Sequence, residues 1–158
     1  MHNNDVLRRI RYILDLGDEA MIKTCASGGL VVDRALISQW LKKEEDEDYQ
    51  KCKDIELASF LNGVINNLRG KREGEQPIPE KVLNNNIVLR KVMIAFNLKA
   101  EDVIALPALD ELKLSKHELS AFFRKPGHKN YRPCKAQILR NCLMGLQLKL
   151  RPNTESKN

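Results

Sequence analysis

No apolar run in this 158-residue chain approaches the roughly 20 residues that a helix needs to cross a bilayer, so no membrane partner is expected. The opening Met1-His2-Asn3-Asn4-Asp5 shows no basic stretch leading into an apolar one. A secretory leader is therefore not expected, and the expected setting is the cytoplasm. Cysteine is sparse, with four residues at positions 25, 52, 134 and 142 and no Cys-x-x-Cys pair. That pattern predicts reduced, packed thiols rather than a disulfide framework. His128, Cys134 and Cys142 match no structural zinc spacing, so no metal is expected. A Gly-rich phosphate loop, a Gly-x-Ser-x-Gly elbow and a His-Glu-x-x-His helix are all missing, and no enzymatic activity or cofactor is expected. No alternation of apolar and polar residues reads as a strand.

What is present is enough apolar residue for a core, 42 %, set among 30 % charged residues. The length fits one domain or two small ones. The net charge is +6, but it is unevenly spread. Residues 113–151 hold ten Lys or Arg against one acid, Glu118, a net of +9. Residues 33–59 hold five bases and eight acids, a net of −3. A concentrated excess holds phosphates, whereas a diffuse one mainly affects solubility.

The chain repeats itself. Asn3-Asn4-Asp5-Val6-Leu7-Arg8 returns as Asn85-Asn86-Ile87-Val88-Leu89-Arg90, an offset of 82. Carried forward without a gap, the offset aligns Trp40 with Phe122, Tyr49 with Tyr131, Cys52-Lys53 with Cys134-Lys135, and Gly63 with Gly145. Over residues 3–69 against 85–151, 20 of 67 pairs are identical. The expected organisation is a first module over 1–69, a Gly/Pro-rich exposed linker over 70–83, a second module over 84–151, and a disordered tail over 152–158.

Each module reads as about four helices, giving an all-α fold. Val6, Leu7, Ile10 and Leu14 have helical spacing, with Asn3 or Asn4 placed to cap. A short second helix follows Gly17-Asp18 and carries Met21, Ile22 and Cys25. Asp33 is placed to cap a third helix with Leu36, Ile37, Trp40 and Leu41 inside, and Ser115 to cap its counterpart. A fourth helix runs from about Asp54 to Leu68, with Leu57, Leu61, Val64 and Leu68 on one face. Leu139, Leu143, Leu146 and Leu150 are the equivalents in the second module. Gly63 and Gly145 each cost a helix about 1 kcal/mol against Ala, and their recurrence predicts a close helix approach. Pro107 should shorten or kink the second helix of the second module.

Two tandem copies of Asn-Asn-x-Val-Leu-Arg-[Arg/Lys], a Gly-Lys-Arg-Glu-Gly-x-x-Pro linker, and Phe-Arg-Lys-Pro-Gly-His-Lys-x-Tyr together resemble the YehS family of short bacterial proteins from Asn3 to Arg151. The resemblance implies the duplication and a bacterial cytosolic setting, and it supplies no active site.

The stretch from Glu19 to Leu41 also resembles the helix-turn-helix core of repressor-type DNA-binding domains, with a turn longer than usual after Gly28. On that reading Arg34, Gln39 and Lys42 face outward from the third helix, with Lys116 in the second module, where they could reach base edges. An ordinary helical hairpin with a capped helix accounts for the same pattern. The strongest charge feature is Phe123 to Lys135, which holds Arg124, Lys125, Lys129, Arg132 and Lys135, a titratable His128, and no acid. These cations suit phosphates, and a solvated turn is the plainer alternative. Tyr131 could stack on a base, but Tyr49 recurs at the equivalent place, which favours packing. That place in the first module is acidic, Glu44-Glu45-Asp46-Glu47-Asp48, a run that reads as a solvated face rather than an acid/base set. The leading expectation is a non-catalytic, helix-turn-helix-like nucleic-acid-binding or regulatory protein. The alternative is a protein-interaction adaptor that uses its helical faces and its oppositely charged loops.

Overall fold

A computed structural model describes residues 1–151, so the expected disordered tail at 152–158 lies outside the described residues. Among the described residues there are eight α-helices and no strand: α1 (Asn3–Leu14), α2 (Asp18–Ser27), α3 (Arg34–Leu41), α4 (Asp54–Arg69), α5 (Asn85–Ala95), α6 (Ala100–Ile104), α7 (Lys116–Ala121) and α8 (Ala136–Leu150). A 3-10 turn lies between α6 and α7 at Asp110–Leu112. None of these helices is long and apolar enough to cross a membrane. The fold is all-α and duplicated, and the chain divides into two compact units between Leu83 and Asn84.

In the first unit α1 buries Val6, Leu7, Ile10 and Ile13, one stripe at helical spacing. Asn3 and Asn4 do not cap it. His2 takes the N-cap position, where its backbone N–H donates to the Asp5 carboxylate at 3.0 Å, and both asparagines lie within the first turn. The second unit uses a conventional cap, with the Asn84 side chain accepting from Ile87 N–H at 2.8 Å. Both third-helix caps form as the sequence suggests. Asp33 Oδ1 accepts from Leu36 N–H at 2.8 Å, and Ser115 Oγ accepts from Glu118 N–H at 3.1 Å while Glu118 accepts in return from Ser115 N–H at 3.2 Å.

α4 is buried on more than the predicted stripe. Leu57, Ala58, Phe60, Leu61 and Val64 are all in the core, because α1 and α2 both pack on it. Leu68 is 43 % exposed and Leu150 47 % exposed, so neither closes the stripe, since each lies in the last turn beyond the covering helices. The recurring glycines are explained by contact. A Cβ on Gly63 would collide with the Thr24 carbonyl, and one on Gly145 with the Pro107 carbonyl. Gly28 faces the Ser59 carbonyl in the same way, so α2 lies against α4 backbone to backbone.

The second helix is where the copies diverge. α2 has 10 residues and α6 only 5, because Pro107 has no N–H to continue the ladder and disfavours helical backbone just before it. Leu106, Leu109 and Leu114 still enter the core from the irregular stretch. That stretch holds two non-glycine residues at positive φ, Ala108 (74°) and Lys113 (50°), and the Asn141 side chain pins it by donating to the Ala108 carbonyl at 2.9 Å. The segment between the repeats is exposed from Gly70 to Glu75. Gln76 to Pro79 then line a groove with the end of α2 and with α4, and Leu83 N–H donates to Asp54 at 2.9 Å. By these contacts the segment belongs to the first unit.

Trp40 is fully buried, and its repeat-equivalent Phe122 is 5 % exposed. The Trp40 indole N–H has no hydrogen-bond partner among the described residues. Trp40→Ala is therefore expected to cost about 3–5 kcal/mol in urea unfolding, while Trp40→Phe should cost far less, because it keeps most of the volume and removes an unpaired donor.

All four cysteines are buried and free. Burial pushes Cys25 and Cys142 up to about 12 and Cys134 up to about 11, and it raises Cys52 as well. Because the folded values lie above the unfolded value of about 8.5, the stabilisation is complete below that pH. It is lost as pH rises from there through the folded values. Native protein should label slowly with a thiol reagent and fully in denaturant. Its stability should fall above about pH 8.5, and this fall should flatten in a chain whose four cysteines are replaced by Ala.

Candidate nucleic-acid interface

The loop that follows each third helix is built on a buried asparagine. Asn4 Nδ2 donates to the Trp40 carbonyl at 3.0 Å and to the Gln50 carbonyl at 2.9 Å, while its Oδ1 accepts from Cys52 N–H at 3.0 Å. Asn86 repeats the set, donating to Phe122 and Arg132 carbonyls at 2.9 Å each and accepting from Cys134 N–H at 2.8 Å. The neighbouring Asn3 and Asn85 donate to the Cys52 and Cys134 carbonyls at 3.0 and 2.9 Å. A carboxamide is the side chain that can donate and accept at once, and here three main-chain groups at both ends of one loop meet on it. The sequence places Asn3 or Asn4 as the cap of the first helix. The signal that distinguishes them was the recurrence of Asn-Asn in both copies, where a helix cap needs only one such residue.

With both ends held, the two loops share one hydrogen-bond pattern, although their paths part at Gly127, whose φ of 95° is not matched at its counterpart Glu45. In the first, Asp46 N–H bonds to the Lys43 carbonyl and Tyr49 N–H to Asp46, at 3.0 and 3.1 Å. In the second, His128 N–H bonds to Lys125 and Tyr131 N–H to His128, at 2.9 Å each. Each loop then closes on its third helix, Gln50 N–H to the Gln39 carbonyl (3.1 Å) and Arg132 N–H to the Ala121 carbonyl (3.2 Å). The corner residues make different side-chain bonds. Asp46 accepts from Lys43 N–H at 3.1 Å, and His128 Nδ1 accepts from Asn130 N–H at 3.0 Å. Tyr49 and Tyr131 are half-buried beneath these turns, and burial, followed by the Glu44 charge, raises the Tyr49 pKa.

The cations are placed unequally. In the first unit Arg34 is exposed but bonded to Glu19 at 2.9 Å and 3.9 Å from Asp18, and Lys42 lies 3.7 Å from Asp48. Gln39 is half-buried rather than fully outward, because the returning loop covers that side of α3. In the second unit Lys116 repeats the Arg34 arrangement, 3.9 Å from Glu101, the repeat-equivalent of Glu19. Arg124, Lys125, His128, Lys129, Arg132 and Lys135 are all exposed. Arg132 folds its guanidinium back onto the Tyr131 and Lys129 carbonyls at 2.9 and 3.2 Å. Among the described residues, Arg124, Lys125, Lys129 and Lys135 have no acidic partner. The structure thus gathers the six basic-loop candidates on one clamped loop and leaves Lys116 at the far end of α7, about 9 Å of helix away.

Asp54 marks another difference between the modules. It accepts from Leu83 N–H at 2.9 Å and from Asn3 Nδ2 at 2.7 Å, and these bonds lower its pKa. Its counterpart in the second module is Ala136.

A family model described as "Protein of unknown function (DUF1456)" matches residues 3–70 and again 85–151. The chain belongs to this family. It is similar to the protein titled "Uncharacterized protein YehS" of Escherichia coli (strain K12), with 44 % identity over 147 residues, 92 % of this chain and 94 % of the relative. No solved structure matches. Each family match begins at or next to the paired asparagines and ends at or just past its module's last helix, so one family unit contains a complete clamp and loop.

Removing one clamp tests its weight. Asn4→Ala strands three main-chain groups, each worth about 1–3 kcal/mol when buried without a partner. It should therefore cost at least about 3 kcal/mol, and the Cys52 amide should lose its protection in hydrogen exchange. Asn86→Ala should do the same in the second module at Cys134.

Proposed function

We propose that this is a non-catalytic, cytoplasmic, helix-turn-helix-like protein that binds nucleic acid through the loop from Arg124 to Lys135 of its second module. The observation that carries this reading is the set of four cations without acidic partners among the described residues, Arg124, Lys125, Lys129 and Lys135, on a loop held at both ends. A clamped loop loses little further conformational freedom when phosphates bind, so the cost of ordering it has already been met by folding. Each cation that replaces a condensed counterion contributes through ion release, which makes the binding salt-dependent and largely indifferent to sequence.

The first module has a supporting role in this reading. Its third-helix cations are matched by Glu19, Asp18 and Asp48, and its loop tip is acidic, which repels phosphate. Base contacts, where they occur, fall to Arg34, Gln39, Lys42 and Lys116. Arg34 and Lys116 must then leave Glu19 and Glu101, a small barrier, since exposed pairs are worth only about 0–1 kcal/mol. A second reading, an adaptor that binds proteins through its helical faces and charged loops, is favoured by the two loops sharing one hydrogen-bond frame with opposite charge. Capture of a protein partner that survives nuclease treatment separates the two.

The test is fluorescence-anisotropy titration of duplex and single-stranded probes at several salt concentrations. Replacing Arg124, Lys125, Lys129 and Lys135 by Gln should leave the helical signal intact and abolish binding. Single replacements should each lower the log–log salt slope on duplex DNA by about 0.9. Neutralising Glu44 to Asp48 should tighten binding. An unmutated chain that binds neither probe at low salt would overturn the reading.

A further inference from the structure

The two clamped loops have a consequence that does not depend on nucleic acid. They share one hydrogen-bond frame, with turns closed at equivalent positions, the same closing bond and the same asparagine clamp, yet their tips carry opposite charge. Both sets of charges are largely unmatched. Glu44, Glu45 and Glu47 have no cationic partner among the described residues, and Arg124, Lys125, Lys129 and Lys135 have no acidic one. Asp48 alone in the acidic tip has a lysine nearby, Lys42 at 3.7 Å.

We propose that the basic loop of one molecule takes the acidic loop of a second copy of this chain as a partner, a head-to-tail contact between unlike surfaces. The occupant is chosen by charge complementarity and by preorganisation. Each loop is already fixed in shape, so little conformational freedom is lost when they meet, and carboxylates at positions 44–48 offer the cations 124–135 the oxygen ligands that phosphates would. Because the contact joins different patches, it does not require a two-fold axis. It also uses the same cations as the proposed nucleic-acid site, so the two associations exclude each other and nucleic acid dissociates the self-complex.

The experiment is complementation in the full chain by sedimentation velocity at low ionic strength. One variant has its acidic loop neutralised (Glu44→Gln, Glu45→Gln, Glu47→Gln). The other has its basic loop neutralised (Arg124→Gln, Lys125→Gln, Lys129→Gln). All of these side chains are exposed, and circular dichroism verifies that both variants fold. Each variant alone should sediment as a monomer. An equimolar mixture should give a species of twice the chain mass, because one supplies the cations and the other the carboxylates. At about 1 M salt, where the screening length falls to about 3 Å, the mixture should return to monomers. A mixture that stays monomeric at low salt overturns the inference. So does association by either variant alone at the level of the unmutated chain. Neither result touches the nucleic-acid reading, which stands or falls on titration of the unmutated chain with DNA and RNA probes.

Discussion

One side-chain carboxamide in each module, Asn4 and Asn86, carries the geometry on which the rest depends. It lies in the first turn of the module's first helix and holds main-chain groups from the end of the third helix and from the far end of the loop before the fourth. Two residues some 36 and 46 positions away in sequence are therefore bonded to a single group. A loop anchored this way keeps its two ends in place whatever its tip residues are. That is the physical reason an acidic tip and a Pro-Gly-His tip, whose backbones differ at Gly127, sit on one frame.

The tips diverge in charge while Asp46 and His128 each keep a side-chain bond to the loop backbone. The first module balances its third-helix cations with Glu19, Asp18 and Asp48, whereas the second keeps four loop cations without acidic partners among the described residues. The core diverges far less. Trp40 and Phe122, Cys52 and Cys134, and Val32 and Leu114 occupy equivalent buried positions. Substitution in the core is limited by volume, while most tip side chains are exposed and meet no such limit.

The second helix is the exception to this conservatism. Pro107 halves it, and the lost turns are replaced by an irregular stretch that still delivers Leu106, Leu109 and Leu114 to the core. The contact with the fourth helix survives the change. Gly63 admits the Thr24 carbonyl in one module and Gly145 admits the Pro107 carbonyl in the other, so the glycine is needed whether or not the opposing segment is helical.

Much of this was legible in the residues alone. The repeat, the all-helical character, the third-helix caps at Asp33 and Ser115, and the shortening at Pro107 all follow from local rules: spacing, capping chemistry and a missing N–H. The breadth of the α4 interface was not legible, because Phe60 and Ala58 are buried by α1 and α2 arriving from other parts of the chain. The ion pairs that occupy Arg34 and Lys116 join residues 15 apart across a turn whose geometry the sequence does not specify. Most of all, the roles of Asn3, Asn4, Asn85 and Asn86 were hidden. Asparagine before an apolar stripe satisfies the rule for a helix cap, and only the tertiary fold brings to it the distant carbonyls and amides that claim its side chain instead.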